Sequence, residues 1–405
     1  MPSIALFFQS FTRQEEILRH LSEALNFQII TDDQLIADVI AAYKIDEKKI
    51  RHSMYGKISV FNQFTLEKER HINLIKMELT NRLHRVTHCI YTGFHSLLIP
   101  KKITHVLKVL IADEKSNRIT QAIAEGVSEK EAKRLIKQSD INAYIWTDFL
   151  FKKEAIDRSL YDVVLPLGDK SLEKSAKIIV DNFHKTSILE TEQSKQALED
   201  MLLEAKVERE LLQHGHKMVV HAEQGNITLE VNKSVLNFSG LAYELIRIAQ
   251  VVNGVQKVEV VIGMEYDNSI YRSQHFELPS KVLLVDDERE LIETLSERLI
   301  NRDVGSYAVF DGQQAMDFID EDKPEIMVLD LRMPGIDGIE VLRRTKQKNP
   351  EIEVIILTGH GTEEDKKTCL SLGAFAYLQK PVDMEELSRT IQKAHARINR
   401  NSDSH

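Results

Sequence analysis

The sequence predicts a multidomain α/β protein, and three observations carry that reading. Up to about Asn182, short apolar runs alternate with long helix-periodic stretches, which predicts a parallel α/β domain. A charged helical stretch over 192–213 then leads into two alternating runs about a Gln-Gly-Asn turn, the start of a small α+β unit of order α-β-β-α-β. From Lys281 on, apolar runs recur about every 20 to 30 residues between helical stretches, which predicts a doubly wound (βα)5 domain.

Composition bounds the function classes. With 405 residues, 42% apolar and 29% charged, the chain has room for two to four ordinary domains, and collagen-like, disordered and disulfide-scaffold classes are excluded. Two cysteines, Cys89 and Cys369, lie far apart, which suits a reducing compartment and is too few for a structural zinc site. A cytoplasmic location is expected. No apolar run approaches the roughly 20 residues of a membrane span, and the opening MPSIALFFQSFTRQEE lacks a basic region and a cleavage site. Most of the net charge of −10 falls between Lys281 and His405, with 17 Lys and Arg against 25 Asp and Glu. Nucleic acid repels such a surface, so no DNA binding is expected.

The elements follow in order. Strands are expected at IALFF (4–8), HCIYTG (88–93), VLKVLIA (106–112) and YDVVLPL (161–167). The 192–213 stretch has helical spacing and no Gly or Pro, so it reads as a connecting helix with a solvated face; a coiled-coil seam of a homodimer is the rival reading. KMVVHAEQGNITLEVN (217–232) is a hairpin, GLAYELIRIAQVV a helix stopped by Asn253-Gly254, and QKVEVVIGM a strand. DNSIYRSQHFELPS (267–280), polar and unpatterned, is the expected linker. These boundaries give domains at 1–185, 192–266 and 281–398, with a disordered tail at 399–405. Tyr144, Trp146, Phe149 and Phe151 have helix-compatible spacing and read as core or interface, and His214 with His216 as a loop rather than a metal site.

The last segment carries the chemistry. Ligands of open α/β sheets bind at the carboxyl ends of the strands, and here those ends present Asp286-Asp287, Asp330, Thr358 and Lys380. Three carboxylates converging on one crevice repel one another, and a hard divalent cation such as Mg²⁺ resolves the conflict. Asp330 is then the candidate nucleophile toward a phosphoryl group, with Lys380 and Thr358 on its oxygens and the Arg332 backbone carbonyl completing the metal shell.

The motifs LLVDDE, VLDLRMPGIDGIEVLRR, ILTGHG and AYLQKP resemble the receiver domain of two-component response regulators, a flavodoxin-like fold, over about 281–398. The resemblance implies a phosphoaspartate at Asp330, Mg²⁺ bound through Asp287, Asp330 and the Arg332 carbonyl, and Thr358 with Tyr377 as a switch pair. It also implies a cis bond between Lys380 and Pro381, and a histidine kinase or phosphotransfer protein as phosphoryl donor.

LRHLSEALNFQIITDDQLI (18–36), the stretch 91–140 and RSLYDVVLPLG (158–168) resemble the cytidylate-kinase-like family of P-loop nucleoside monophosphate kinases. Where that family has its glycine-rich phosphate loop this chain reads Phe11-Thr12-Arg13-Gln14, and Gly-Lys-Ser/Thr is absent from the segment. The lid arginines are missing too: INAYIWTDFL follows Ser139-Asp140 with no arginine before Arg158. A kinase fold without catalysis is therefore expected, in which Arg13, Asp33 and Arg118 are the residues left to hold a nucleotide or another anion. GNITLEV and IAQVVNGVQKVEVVI, within 196–265, resemble the BON domain, and a docking or sensing role is expected there. The function read from the sequence is a response regulator whose phosphorylation changes how the amino-terminal modules bind a protein partner, which the sequence leaves unnamed. The alternative is a nucleoside monophosphate kinase switched by its receiver.

Overall fold

The computed structural model describes residues 2–402 apart from 169–170, 186–187, 236, 271–280, 303 and 360. The chain divides into two units, Met1–Ile58 with Glu67–Tyr271, and Ser59–Leu66 with Arg272–His405. Among the described residues no helix is long and apolar enough to cross a membrane.

Five parallel strands, β1 (Ser3–Phe8), β2 (Gln28–Thr31), β3 (Cys89–Thr92), β4 (Val106–Ala112) and β5 (Val163–Pro166), form the first sheet in the order β2-β3-β1-β4-β5. Four of these are the apolar runs of the sequence; β2 is a four-residue strand between two amphipathic helices, too short to stand out. Side chains alternate across the sheet. Phe7, Tyr91 and Leu110 therefore enter one core, and Ile4, Leu6, Val109 and Ile111 the other. Both faces are covered by helices, which is why the strands read as continuous apolar runs. Trp146, in the helix Glu129–Phe151, is fully buried and donates its indole N–H to the Phe94 carbonyl at 3.0 Å. Cys89, in β3, has no solvent exposure.

The same unit holds the helix Glu192–Gln213, strands β6 (Val219–Glu223) and β7 (Asn226–Ser234), the helix Phe238–Gln250 and β8 (Lys257–Ile270), in the α-β-β-α-β order expected. β6 and β7 are antiparallel and closed by Gln224-Gly225, both at positive φ (50° and 87°), the two-residue geometry that matches strand twist. β8 lies parallel to β7, returned by the intervening helix. It extends to Ile270 through register shifts opposite Lys233 and Ser234. The first four residues of the expected linker thus continue the ladder, which the polar sequence did not signal; residues 271–280 lie outside the described residues.

The second unit contains β9 (Val282–Val285), β10 (Ser306–Val309), β11 (Ile326–Leu329), β12 (Glu353–Thr358) and β13 (Ala376–Gln379), all parallel, in the order β10-β9-β11-β12-β13. Leu283, Val285, Met327, Leu329 and Ile356 face one layer of helices, and Val282, Leu284, Ile326, Val328 and Ile355 the other. Cys369 is buried in the first of these layers. The last helix, Met384–Ser402, takes in the start of the expected tail; 403–405 lie outside the described residues. Residues 59–66 belong to this unit as well: Asp322 accepts from the Ser59 hydroxyl and the Val60 N–H, and Phe61 meets Phe318 edge-on.

Replacing Trp146 by Ala removes a large fully buried side chain and leaves the Phe94 carbonyl without its donor. A loss of about 3–5 kcal/mol in the stability of the first unit is expected, read as a lower urea midpoint by circular dichroism.

Candidate functional site

The paired strands β9 and β11 each stop at an aspartate because the polar carboxyl edge of the sheet begins there. Asp286 follows Val285, and Asp330 follows Leu329; Val285 and Leu329 are register partners. Asp287 comes next to Asp286, and one carboxylate oxygen from each of the three aspartates lies within 4.8 Å of the others. Asp286 and Asp330 are buried and Asp287 is exposed, so the cluster opens to solvent on one side. An all-oxygen set this close and partly solvated suits Mg²⁺, which keeps several waters.

Lys380 follows β13, and its peptide bond to Pro381 is cis, as expected. Its ammonium donates to Asp286 Oδ2 at 2.6 Å and Glu288 Oε1 at 3.0 Å, and stands 3.8 Å from Asp330 Oδ2. Burial works against the Lys380 charge, but the bonds to Asp286 and Glu288 outweigh it and hold the group above its ordinary value. For Asp286 burial wins instead: it pushes that carboxyl up although Lys380 and the Glu288 N–H, at 3.0 Å from Asp286 Oδ1, pull it down. Asp330 Oδ1 accepts the Leu331 N–H at 2.8 Å. Thr358 ends β12 and is buried. The Tyr377 hydroxyl on neighbouring β13 is buried with no hydrogen-bond partner, and it lies against Gly361: a Cβ there would meet that oxygen at 1.6 Å and Thr358 Cγ2 at 3.0 Å. The Arg332 side chain points to Asp365 at 3.6 Å.

The first unit has a crevice at the corresponding strand edge, of about 280 Å³. Phe7, Phe8 and Phe94 line it together with Asp140 and Glu154, and no Lys, Arg or His is among the described lining residues. The preceding turn holds Phe11 at φ 59° and Arg13 at φ 53°, left-handed values that glycine adopts freely and other residues at a cost. Arg118 is buried and its guanidinium is committed within the protein, to the Ser10 carbonyl at 2.9 Å, the Ser10 hydroxyl at 2.8 Å and the Asp140 carboxylate at 2.8 Å. Arg13 is tied to Glu16 at 2.7 Å, and Asp33 accepts from Arg51 at 2.8 Å. Each of the three candidate anion residues is thus engaged by its own partner.

The strand-end aspartates, the lysine and the sheet order together decide the resemblance of the second unit. Residues 282–392 match the response regulator receiver domain. Similar solved structures are a response regulator receiver domain protein from Clostridium thermocellum (30% identity, 31% of this chain and 98% of that one, TM-score 0.29) and the receiver domain of the Francisella response regulator 1452 (29% identity, 29% and 98%, TM-score 0.28). The receiver domain of NtrX from Brucella abortus is 27% identical over 28% of this chain and 96% of that one, with a TM-score of 0.27. Residues 4–169 match the cytidylate kinase-like family.

The receiver also uses residues that the sequence reading passed over. Glu288 shares Lys380 with Asp286; its place in LLVDDE was visible, its partner was not. Gly338 starts the helix Gly338–Lys348 against the Asp330 loop, where a Cβ would meet the Asp330 carbonyl oxygen at 2.1 Å and Leu331 Cα at 2.7 Å. Both contacts are backbone, so Gly338→Ala is expected to cost about 1–3 kcal/mol, measured by urea unfolding of the receiver.

A pH test isolates the buried aspartate. The Asp286 carboxyl lies above its unfolded value of 3.8, so the folded state binds more protons between that value and the raised one, and stability from this group falls as pH rises through the window. Asp286→Asn removes the penalty. The variant is expected to be as stable as wild type or more so at neutral pH, with its advantage shrinking as pH falls toward about 4. Urea midpoints across that range check it.

Proposed function

We propose that the protein is a two-component response regulator in which Asp330 accepts a phosphoryl group from a histidine kinase or phosphotransfer protein. The observation that carries the reading is the convergence of Asp286, Asp287 and Asp330 beside the Lys380 ammonium. The three carboxylates and the Arg332 backbone carbonyl would hold Mg²⁺, which when bound would neutralise charge on the phosphoryl oxygens. An Asp330 carboxylate oxygen forms the new bond to phosphorus as the donor's bond breaks. Lys380, already 3.8 Å from Asp330, exchanges an Asp286 contact for a phosphoryl oxygen. The Thr358 hydroxyl takes another, and the Thr358, Gly361 and Tyr377 contact rearranges with it, changing the surface around β12 and β13.

The first unit is read as the responding module rather than an enzyme. Among its described lining residues, a crevice lined by phenylalanines and two carboxylates offers no cationic partner for a triphosphate, and Arg118 serves its own turn. The α-β-β-α-β segment is read as a BON-like docking or sensing element. Incubation with acetyl phosphate and Mg²⁺ is expected to add one phosphoryl group by intact mass, lost in Asp330→Asn and on chelation of Mg²⁺. ATP with CMP is expected to give no nucleotide conversion. Phosphorylation that survives in Asp330→Asn contradicts the site, and conversion of ATP and CMP restores the kinase reading.

A further inference from the structure

A second cavity of the first unit has the opposite chemistry to the strand-end crevice. It measures about 520 Å³, within the range of small-molecule sites. It opens where the chain after the helix Asp32–Tyr43 meets the helices Glu67–Arg85 and Glu192–Gln213, and it shares no lining residue with the crevice.

Its walls carry a charge excess. Lys44, Lys49, Arg70 and Arg209 line it against Asp46 and Glu67. Asp46 is already used in capping the helix Glu47–Tyr55, accepting from the Lys48 and Lys49 N–H groups at 2.7 and 3.3 Å. Glu67 stands 3.7 Å from Lys49. The Arg209 guanidinium lies over the Tyr43 ring, 5.3 Å from its centroid, so an aromatic face positions it.

An independent observation comes from Asn73, which lines the cavity and is 2% exposed. Its amide nitrogen donates to the Ala205 carbonyl at 2.9 Å and to Glu208 at 3.0 Å, two acceptors that fix which way the amide faces. Its Oδ1 has no hydrogen-bond partner. A buried acceptor without a donor is costly and requires a reason.

We propose that this cavity binds a small phosphomonoester bearing hydroxyl or amino groups. A phosphomonoester carries about −1.5 to −2 charges at neutral pH, which balances the two-charge excess of the walls; a monocarboxylate balances half of it. The planar fork of Arg209 suits phosphate oxygens, with the Lys49 ammonium as a second positive group, and a hydroxyl or amino group of the same molecule supplies the donor that Asn73 Oδ1 lacks. The proposal is independent of phosphoryl acceptance at Asp330.

Calorimetric titration of the full chain with glucose 6-phosphate, glycerol 3-phosphate, phosphoserine and inorganic phosphate tests it. At least one ester is expected to bind more tightly than inorganic phosphate. Lys49→Gln, at an exposed position, and Arg209→Gln, at a half-buried one, are each expected to weaken that ester about tenfold or more, the worth of one charge-assisted hydrogen bond, with the unliganded melting temperature unchanged. Esters no tighter than inorganic phosphate, or binding untouched by both substitutions, overturn the proposal.

Discussion

Like charges gathered at the open ends of two neighbouring strands are the constraint around which the second unit is arranged. Pairing Val285 with Leu329 puts Asp286 and Asp330 side by side, and nothing in the apolar sheet beneath can compensate them. Compensation has to come from above the edge, and Lys380 provides it from the end of β13, two strands beyond β11 and three beyond β9. The balance is deliberately incomplete: burial leaves Asp286 above its ordinary pKa even with the lysine at 2.6 Å. A buried carboxylate left short of positive charge in this way commonly costs folding stability.

The first unit resolves the same architectural position differently. Its strand-end crevice is furnished with phenylalanines, and Arg118, one of the three candidate anion residues, bridges Ser10 and Asp140. Phe11 and Arg13 keep left-handed backbone angles in the turn between β1 and the following helix, a conformation that glycine adopts without cost.

What the sequence made legible follows from locality. Four strands ending in specific polar residues, β9, β11, β12 and β13, could be read for the receiver, because ligands of a doubly wound sheet bind where its strands end and Asp286, Asp330, Thr358 and Lys380 each sit at such an end. Gly338 and Gly361 were not legible as site residues, since their importance lies in what a Cβ would strike across the loop, the Asp330 carbonyl and the Tyr377 hydroxyl. Arg118 looked available because its partners, Ser10 and Asp140, are 108 and 22 residues away. The extension of β8 to Ile270 was hidden for another reason: edge pairing by backbone groups asks little of side-chain pattern.

The two thiols also shape how the molecule meets oxidants. Cys89 and Cys369 are both fully enclosed, and burial pushes their pKa values up, that of Cys369 to about 11. Thiolates are the reactive species, so neither side chain offers peroxide or an alkylating reagent much to attack while the fold is intact. A single cysteine placed on the surface would therefore take a fluorophore or spin label selectively against an unreactive native background.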